Sequence, residues 1–206
     1  MERIDKVVEA FNRHGFLAEK FADMNQAKTA LLKLIRPEET VGLGASMNVK
    51  EGGVLDALVG RGQTLFTNMT GPDRTPQETD AMRRDAMVAD WYLASSNAVT
   101  EQGELINIDG VGNRVAGLIF GPKKVVVMVG QNKITKNFAD GMKRIKSEAC
   151  GKNARRLSRA TPCALDDRCH DCDSPHRMCN TVTWVQRPNS WHTEFHVYII
   201  EEDWGY

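Results

Sequence analysis

Lys124-Val125-Val126-Val127-Met128-Val129 opens on a lysine and continues as five unbroken apolar residues. It has the length of a β-strand and falls far short of the roughly 20 apolar residues that cross a bilayer. Outward from it, helical and strand periods alternate. Downstream, a helix is predicted from about Thr135 to Cys150, with Phe138, Met142 and Ile145 turned inward. Upstream lie a short helix, Arg114 to Phe120, and two strands, Glu104 to Ile108 and Asp90 to Ser95. Thr75-Pro76-Gln77-Glu78 starts a further helix to about Ala89: threonine caps, proline opens the first turn, and glutamate reaches back.

The first third repeats the pattern. Ile4, Val7, Val8 and Phe11 form the apolar stripe of a helix that Gly15 closes, and Phe16 to Phe21 reads as a strand. Ala27, Ala30, Leu31, Leu34 and Ile35 mark a second helix, stopped by Pro37. Thr40-Val41-Gly42-Leu43-Gly44 is a buried parallel strand feeding a tight turn, and Ser46 caps a helix running to Gly60. Thr64 to Phe66 is another strand. Such alternation predicts an α/β fold on a mostly parallel sheet. The last quarter differs: residues 161–180 form a Cys-, Asp- and His-rich loop, and Val182 to Gln186 and Glu194 to Ile200 are short β segments. With no internal repeat or long linker, residues 1–206 are read as one domain.

Twenty-seven basic and 27 acidic residues give zero formal charge, which argues against a nucleic-acid binder held by phosphate neutralisation. The start, Met1-Glu2-Arg3-Ile4-Asp5-Lys6, is charged and has no secretory signal, so a cytoplasmic location without membrane attachment is expected. Thiols there stay mostly reduced.

Ligands in open α/β sheets bind beyond the carboxyl ends of the strands, where three polar clusters fall. The first contains Gly44, Ser46 and Lys50, a glycine-rich strand end entering a helix, which either offers N–H groups to an anion or is merely a capped turn. The second, residues 95–114, gathers Asn97, Glu101, Asp109, Gly112, Asn113 and Arg114. Glu101 is its candidate reactive carboxylate, and Asn113 and Arg114 are candidates for holding a small anionic metabolite, since guanidinium forks match carboxylate and phosphate. Asn and Asp also stabilise their own turns, the structural alternative. The third is Cys163, Cys169, Cys172 and Cys179, spaced by five, two and six residues. It reads as a zinc or iron–sulfur site, as free redox-active thiols, or as a disulfide. Cys150 reads as a buried small hydrophobe and His14 as exposed near a helix end. His192 and His196, flanking a strand, read as structural, and Trp184, Trp191 and Trp204 as packing.

Four stretches together resemble the LUD-domain family, the lactate utilisation protein C group long known as a domain of unknown function. They are Gly42 to Met47 with Lys50-Glu51, Ser96 to Leu105, Asn107 to Ala116, and Gly121 to Val125. The resemblance implies a three-layer α/β/α fold of the sugar-phosphate isomerase and CoA-transferase type. It also implies a role in oxidising L-lactate to pyruvate beside separate iron–sulfur proteins. Glu101-Gln102-Gly103 resembles the nucleophilic glutamate and glycine turn of class I CoA transferases, which gives a stand-alone isomerase or transferase as an alternative. A metal or iron–sulfur redox module on the Cys loop is the other.

Overall fold

The computed structural model describes residues 2–189 and 193–206, so Trp191 and His192 lie outside the described residues. Its main sheet contains six strands: β1 (Leu17–Phe21), β2 (Val41–Leu43), β3 (Leu65–Phe66), β4 (Trp91–Ala94), β7 (Lys124–Gly130) and β10 (Glu194–Ile200). The order across the sheet is β1-β10-β7-β4-β2-β3, and every pairing is parallel. The apolar run at 125–129 is thus part of an interior strand, paired with β4 on one side and β10 on the other.

Because side chains alternate across a strand, β7 feeds two separate cores. Val125, Val127 and Val129 pack with Val7 and Phe11 of α1 (Arg3–Arg13) and Leu118 of α6 (Asn113–Phe120). Val126 and Met128 pack with α2 (Met24–Leu34), α3 (Met47–Glu51) and α4 (Val54–Gly60) through Leu31, Val49, Leu55 and Leu58. The result is the expected three-layer α/β/α arrangement. Gly117 lets α6 sit close on β4: a Cβ there would stand 2.4 Å from Cζ of Tyr92.

A second sheet, ordered β8-β5-β6-β9, comprises β5 (Ala98–Thr100), β6 (Leu105–Asp109), β8 (Ile134–Thr135) and β9 (Thr181–Val185). Its Ala98 and Ile106 pack on Ile145 and Ala149. These belong to a helical run, α7 (Phe138–Arg144), a π-helical turn (Ile145–Ala149) and α8 (Cys150–Arg156).

Three expectations change. The helix read from Ser46 to Gly60 is two helices, because Gly52 and Gly53 interrupt it and Gly53 takes a left-handed conformation at the start of α4. The helix expected to end at Cys150 continues to Arg156 through the π turn. The terminal segment 194–200 is no appended β piece. It is a buried parallel strand inserted between β1 and β7. The helix that begins at the Thr75 capping box is α5 (Pro76–Asp85). No helix among the described residues is long and apolar enough to cross a membrane.

Candidate functional site

The carboxyl ends of β2, β3, β4 and β7 open on one cleft of about 400 Å³. Beyond β2, Ser46 is buried on the cleft wall and caps α3, its Oγ accepting the Val49 N–H at 3.4 Å. Gly44 sits behind the wall, where a Cβ would come within 3.0 Å of Cγ of Arg114. Beyond β4, Ser95, Ser96 and Asn97 line the cleft. Asp109, Asn113 and Arg114 line it from the end of β6 and the start of α6. Residues that follow β2, β4 and β6 thus line one cleft.

Arg114 does different work there from the ligand fork its side chain suggested. A guanidinium has five N–H donors. One Nη1 donor goes to the Ser95 carbonyl at 3.2 Å and the other to Asn107 Oδ1. Nη2 donates to Asn97 Oδ1 at 3.0 Å and to the Ile108 carbonyl at 2.7 Å. Nε faces Asp109 Oδ2 at 3.3 Å. All five are engaged by the protein, so Arg114 clamps the loop after β4 to the end of β6. Asp109 completes the clamp by accepting the Val111 and Gly112 N–H groups at 3.1 and 2.8 Å. This turn sets Gly112, at φ +94°, as the residue that opens α6.

Lys133 was not singled out by sequence. It ends a 3₁₀ turn (Gln131–Lys133) directly after β7 and is 4% exposed on the cleft wall. Its Nζ donates to Asn48 Oδ1 at 3.2 Å and Ser95 Oγ at 3.4 Å. Among the described residues no carboxylate lies within ion-pair distance of it. Burial, reinforced by the Arg144 and Arg114 cations, pulls its pKa down to about 7, against the weaker opposing pull of Glu51. One signal did point to it: a lysine three residues past the end of the clearest strand, where parallel sheets place ligands.

The LUD-domain sequence profile matches residues 4–200. The chain belongs to the LUD-domain family. That family is associated with lactate utilisation. A solved structure of a DUF162 family protein from Deinococcus radiodurans shares the fold at 12% sequence identity, with a TM-score of 0.50 over 97% of this chain and 98% of that one. A comparison with curated proteins gives no match.

In this LUD domain Glu101 does not join the cleft. Its carboxylate takes the Arg3 Nε–H at 2.7 Å, and its loop is pinned to α1. Gly103 lies at φ +78° so close to α1 that a Cβ would stand 2.5 Å from the Phe11 nitrogen, and His14 Nδ1 meets the Gly103 carbonyl at 3.1 Å. The turn after β5 thus packs on α1, and neither Glu101 nor Gly103 belongs to the cleft lining. Lys50 is exposed on α3 and is absent from the cleft lining.

The opposite wall comes from the π turn, α8 and the Cys loop. Asn180 stitches the end of that loop to β6, its N–H on the Asp109 carbonyl at 3.0 Å and its Nδ2 on that of Gly110 at 3.1 Å. Cys163, Cys172 and Cys179 line the cleft, and Cys169 does not. Cys150 also lines it, half-buried instead of sunk in the core. Burial, aided by Cys179, Cys169 and Cys163 nearby, pushes the Cys150 thiol up to about 12. All five cysteines are free. Among the described residues no group of three or more His, Cys, Asp or Glu side chains is placed to hold a metal ion, so this geometry lends the zinc or iron–sulfur reading no support. His196 is buried, with Nε2 2.7 Å from Glu194, and Trp184 packs at a tilt against Phe138, ring centroids 4.9 Å apart.

Proposed function

We propose that this LUD domain binds a small anionic metabolite of lactate oxidation in the cleft, as a component that works beside separate iron–sulfur redox proteins. The observation that carries the reading is the charge of the lining. Among the described residues Arg83, Arg114, Lys133, Arg156, Arg159 and Arg177 face the cleft, against the single carboxylate of Asp109. The whole chain has zero formal charge, so this excess is local and concentrates a positive potential in a concave site, which draws small anions. Arg114 is spent on the loops and Arg177 on the carbonyls of Cys172 and Cys179, at 2.6 and 3.2 Å. The guanidinium groups of Arg83 and Arg159, unpaired among the described residues, and the amine of Lys133 remain for a ligand. The family association supports a carboxylate related to lactate.

Calorimetric titration of the purified chain with L-lactate, pyruvate and inorganic phosphate at low ionic strength tests the reading. Saturable binding of one of them, weakened at least several-fold in a combined Arg83→Ala, Arg159→Ala variant that melts like the parent, is the expected result. Absence of binding by all three, or binding indifferent to both substitutions, overturns it.

A further inference from the structure

Lys133 is a buried amine whose surroundings suit its neutral form. A neutral lysine amine has two N–H bonds and one lone pair, whereas the ammonium ion has three N–H donors. The structure supplies two acceptors, Asn48 Oδ1 and Ser95 Oγ, and no carboxylate partner among the described residues. Both N–H bonds of the neutral amine are then satisfied, and the lone pair is left over. A buried ammonium is ordinarily paired, because a lone charge taken out of water loses its hydration with nothing to replace it. Three further features hold the group in place. Asn48, itself buried, is anchored by donating from Nδ2 to the Met128 carbonyl at 3.2 Å. The 3₁₀ turn after β7 fixes the lysine backbone. Gly205 closes over the pair, since a Cβ there would stand 3.2 Å from Lys133 Nζ.

We infer that Lys133 is a nucleophilic amine that condenses with the carbonyl of a small 2-oxo carboxylate bound in the cleft. The inference deepens the proposed function and rests on it: the ligand is an anion drawn into the cleft that Lys133 lines, and the keto carbon next to its carboxylate is the electrophile. The Nζ lone pair forms a bond to the carbonyl carbon as the C=O π pair moves onto oxygen, which takes up one of the two amine protons. The carbinolamine loses that oxygen as water, using one proton from nitrogen and one already on oxygen, and the C=N bond forms. No oxidant or reductant is consumed. The protonation of Nζ is set by the groups that face it: Arg144 from α7 and Arg114 from α6 pull its pKa down together with burial, and Glu51 from α3 opposes them. At neutral pH a substantial share of the amine is therefore free to attack.

Incubating the full chain with pyruvate and sodium cyanoborohydride, followed by intact mass and peptide mapping, tests the inference. One adduct of a single reduced pyruvate unit is expected on the peptide bearing Lys133. Its rate should rise as pH climbs through about 7, and it should be missing with L-lactate, which has no carbonyl. It should also be missing in Lys133→Met and Lys133→Arg. Should neither variant fold, the position of the adduct in the wild-type map decides. Labelling scattered over exposed lysines overturns the inference. Parallel calorimetry separates the two failures. Pyruvate that binds without forming the adduct removes the chemistry at Lys133 and leaves the anion site standing. Pyruvate that neither binds nor labels removes the inference, and the proposed function falls only if lactate and phosphate fail as well.

Discussion

The Arg114 guanidinium and the Asp109 carboxylate stand 3.3 Å apart, and that ion pair is one of five contacts that exhaust the donors of the arginine. A residue that looks like an anion fork in the sequence is the internal tie of the site. Removing it leaves the Ser95 and Ile108 carbonyls and a buried carboxylate without their partner. Breaking one side of a buried charged network costs about 3–5 kcal/mol. Arg114→Ala should lose stability on that scale in urea unfolding, and Arg114→Lys should recover little of it, since an ammonium has three donors where five are used. An Arg114→Ala protein that unfolds like the parent and merely loses ligand would contradict this assignment.

Acid stability should depend on Glu39. This carboxylate is 6% exposed. Burial alone would raise its pKa, but bonds from Lys124 Nζ at 2.8 Å, the Arg36 N–H at 2.8 Å and Trp91 Nε1 at 3.0 Å outweigh burial and hold it at about 2. The folded value lies below the unfolded value of 4.5, so the unfolded chain takes up its proton first as pH falls. The stabilisation is complete above pH 4.5 and is lost on the way down through pH 2. Its size is about 3 kcal/mol. Glu39→Gln should lower the melting temperature at pH 7 and flatten its fall between pH 4.5 and 2. Equal acid slopes in parent and variant would refute it.

Thiol chemistry should rank the cysteines. With the Cys150 thiol pushed up to about 12, almost none of it is thiolate near neutral pH, and the thiolate is the reactive form. Alkylation of the native protein with iodoacetamide at pH 8, read by peptide mapping, should therefore modify Cys150 last. Denatured protein should titrate as five free thiols. Early labelling of Cys150 would show that its environment has been misjudged.

The turn at 101–103 should matter for its backbone and little for its carboxylate. Glu101 and Arg3 form an exposed pair, with side chains 36% and 54% accessible, and such pairs contribute at most about 1 kcal/mol. Glu101→Gln should change neither stability nor ligand affinity beyond that level. Gly103→Ala combines φ +78° with a Cβ 2.5 Å from the α1 backbone, and should cost more than about 2 kcal/mol by thermal unfolding. A Glu101→Gln protein that folds normally yet loses activity would restore the glutamate as a reactive group.

Much of the site was legible because local chemistry announces itself. The strand at 91–94 ends in Ser95-Ser96-Asn97, and the strand at 105–109 ends in Asp109 before a glycine-opened helix. Polar residues at strand ends and glycine at turns have local causes, and these residues do share one cleft. Other parts had no local signal. β5 and β8 are three and two residues long, too short for a period to register. Segment 194–200 alternates like a surface strand, yet both its edges are paired inside the main sheet.

The order of apolar periods, caps and breakers was enough to specify an α/β chain with alternating elements, since those signals act over a few residues. Which side chains are consumed and which stay available was decided by the tertiary structure alone. Arg114 meets Ser95 and Asn97 from 19 and 17 residues away, Lys133 meets Asn48 across 85, and Glu101 is taken by Arg3 across 98. Hydrogen-bond satisfaction and desolvation depend on what stands within about 3 Å in space. Two arginines or two glutamates that look alike in sequence therefore part company only when the chain has folded.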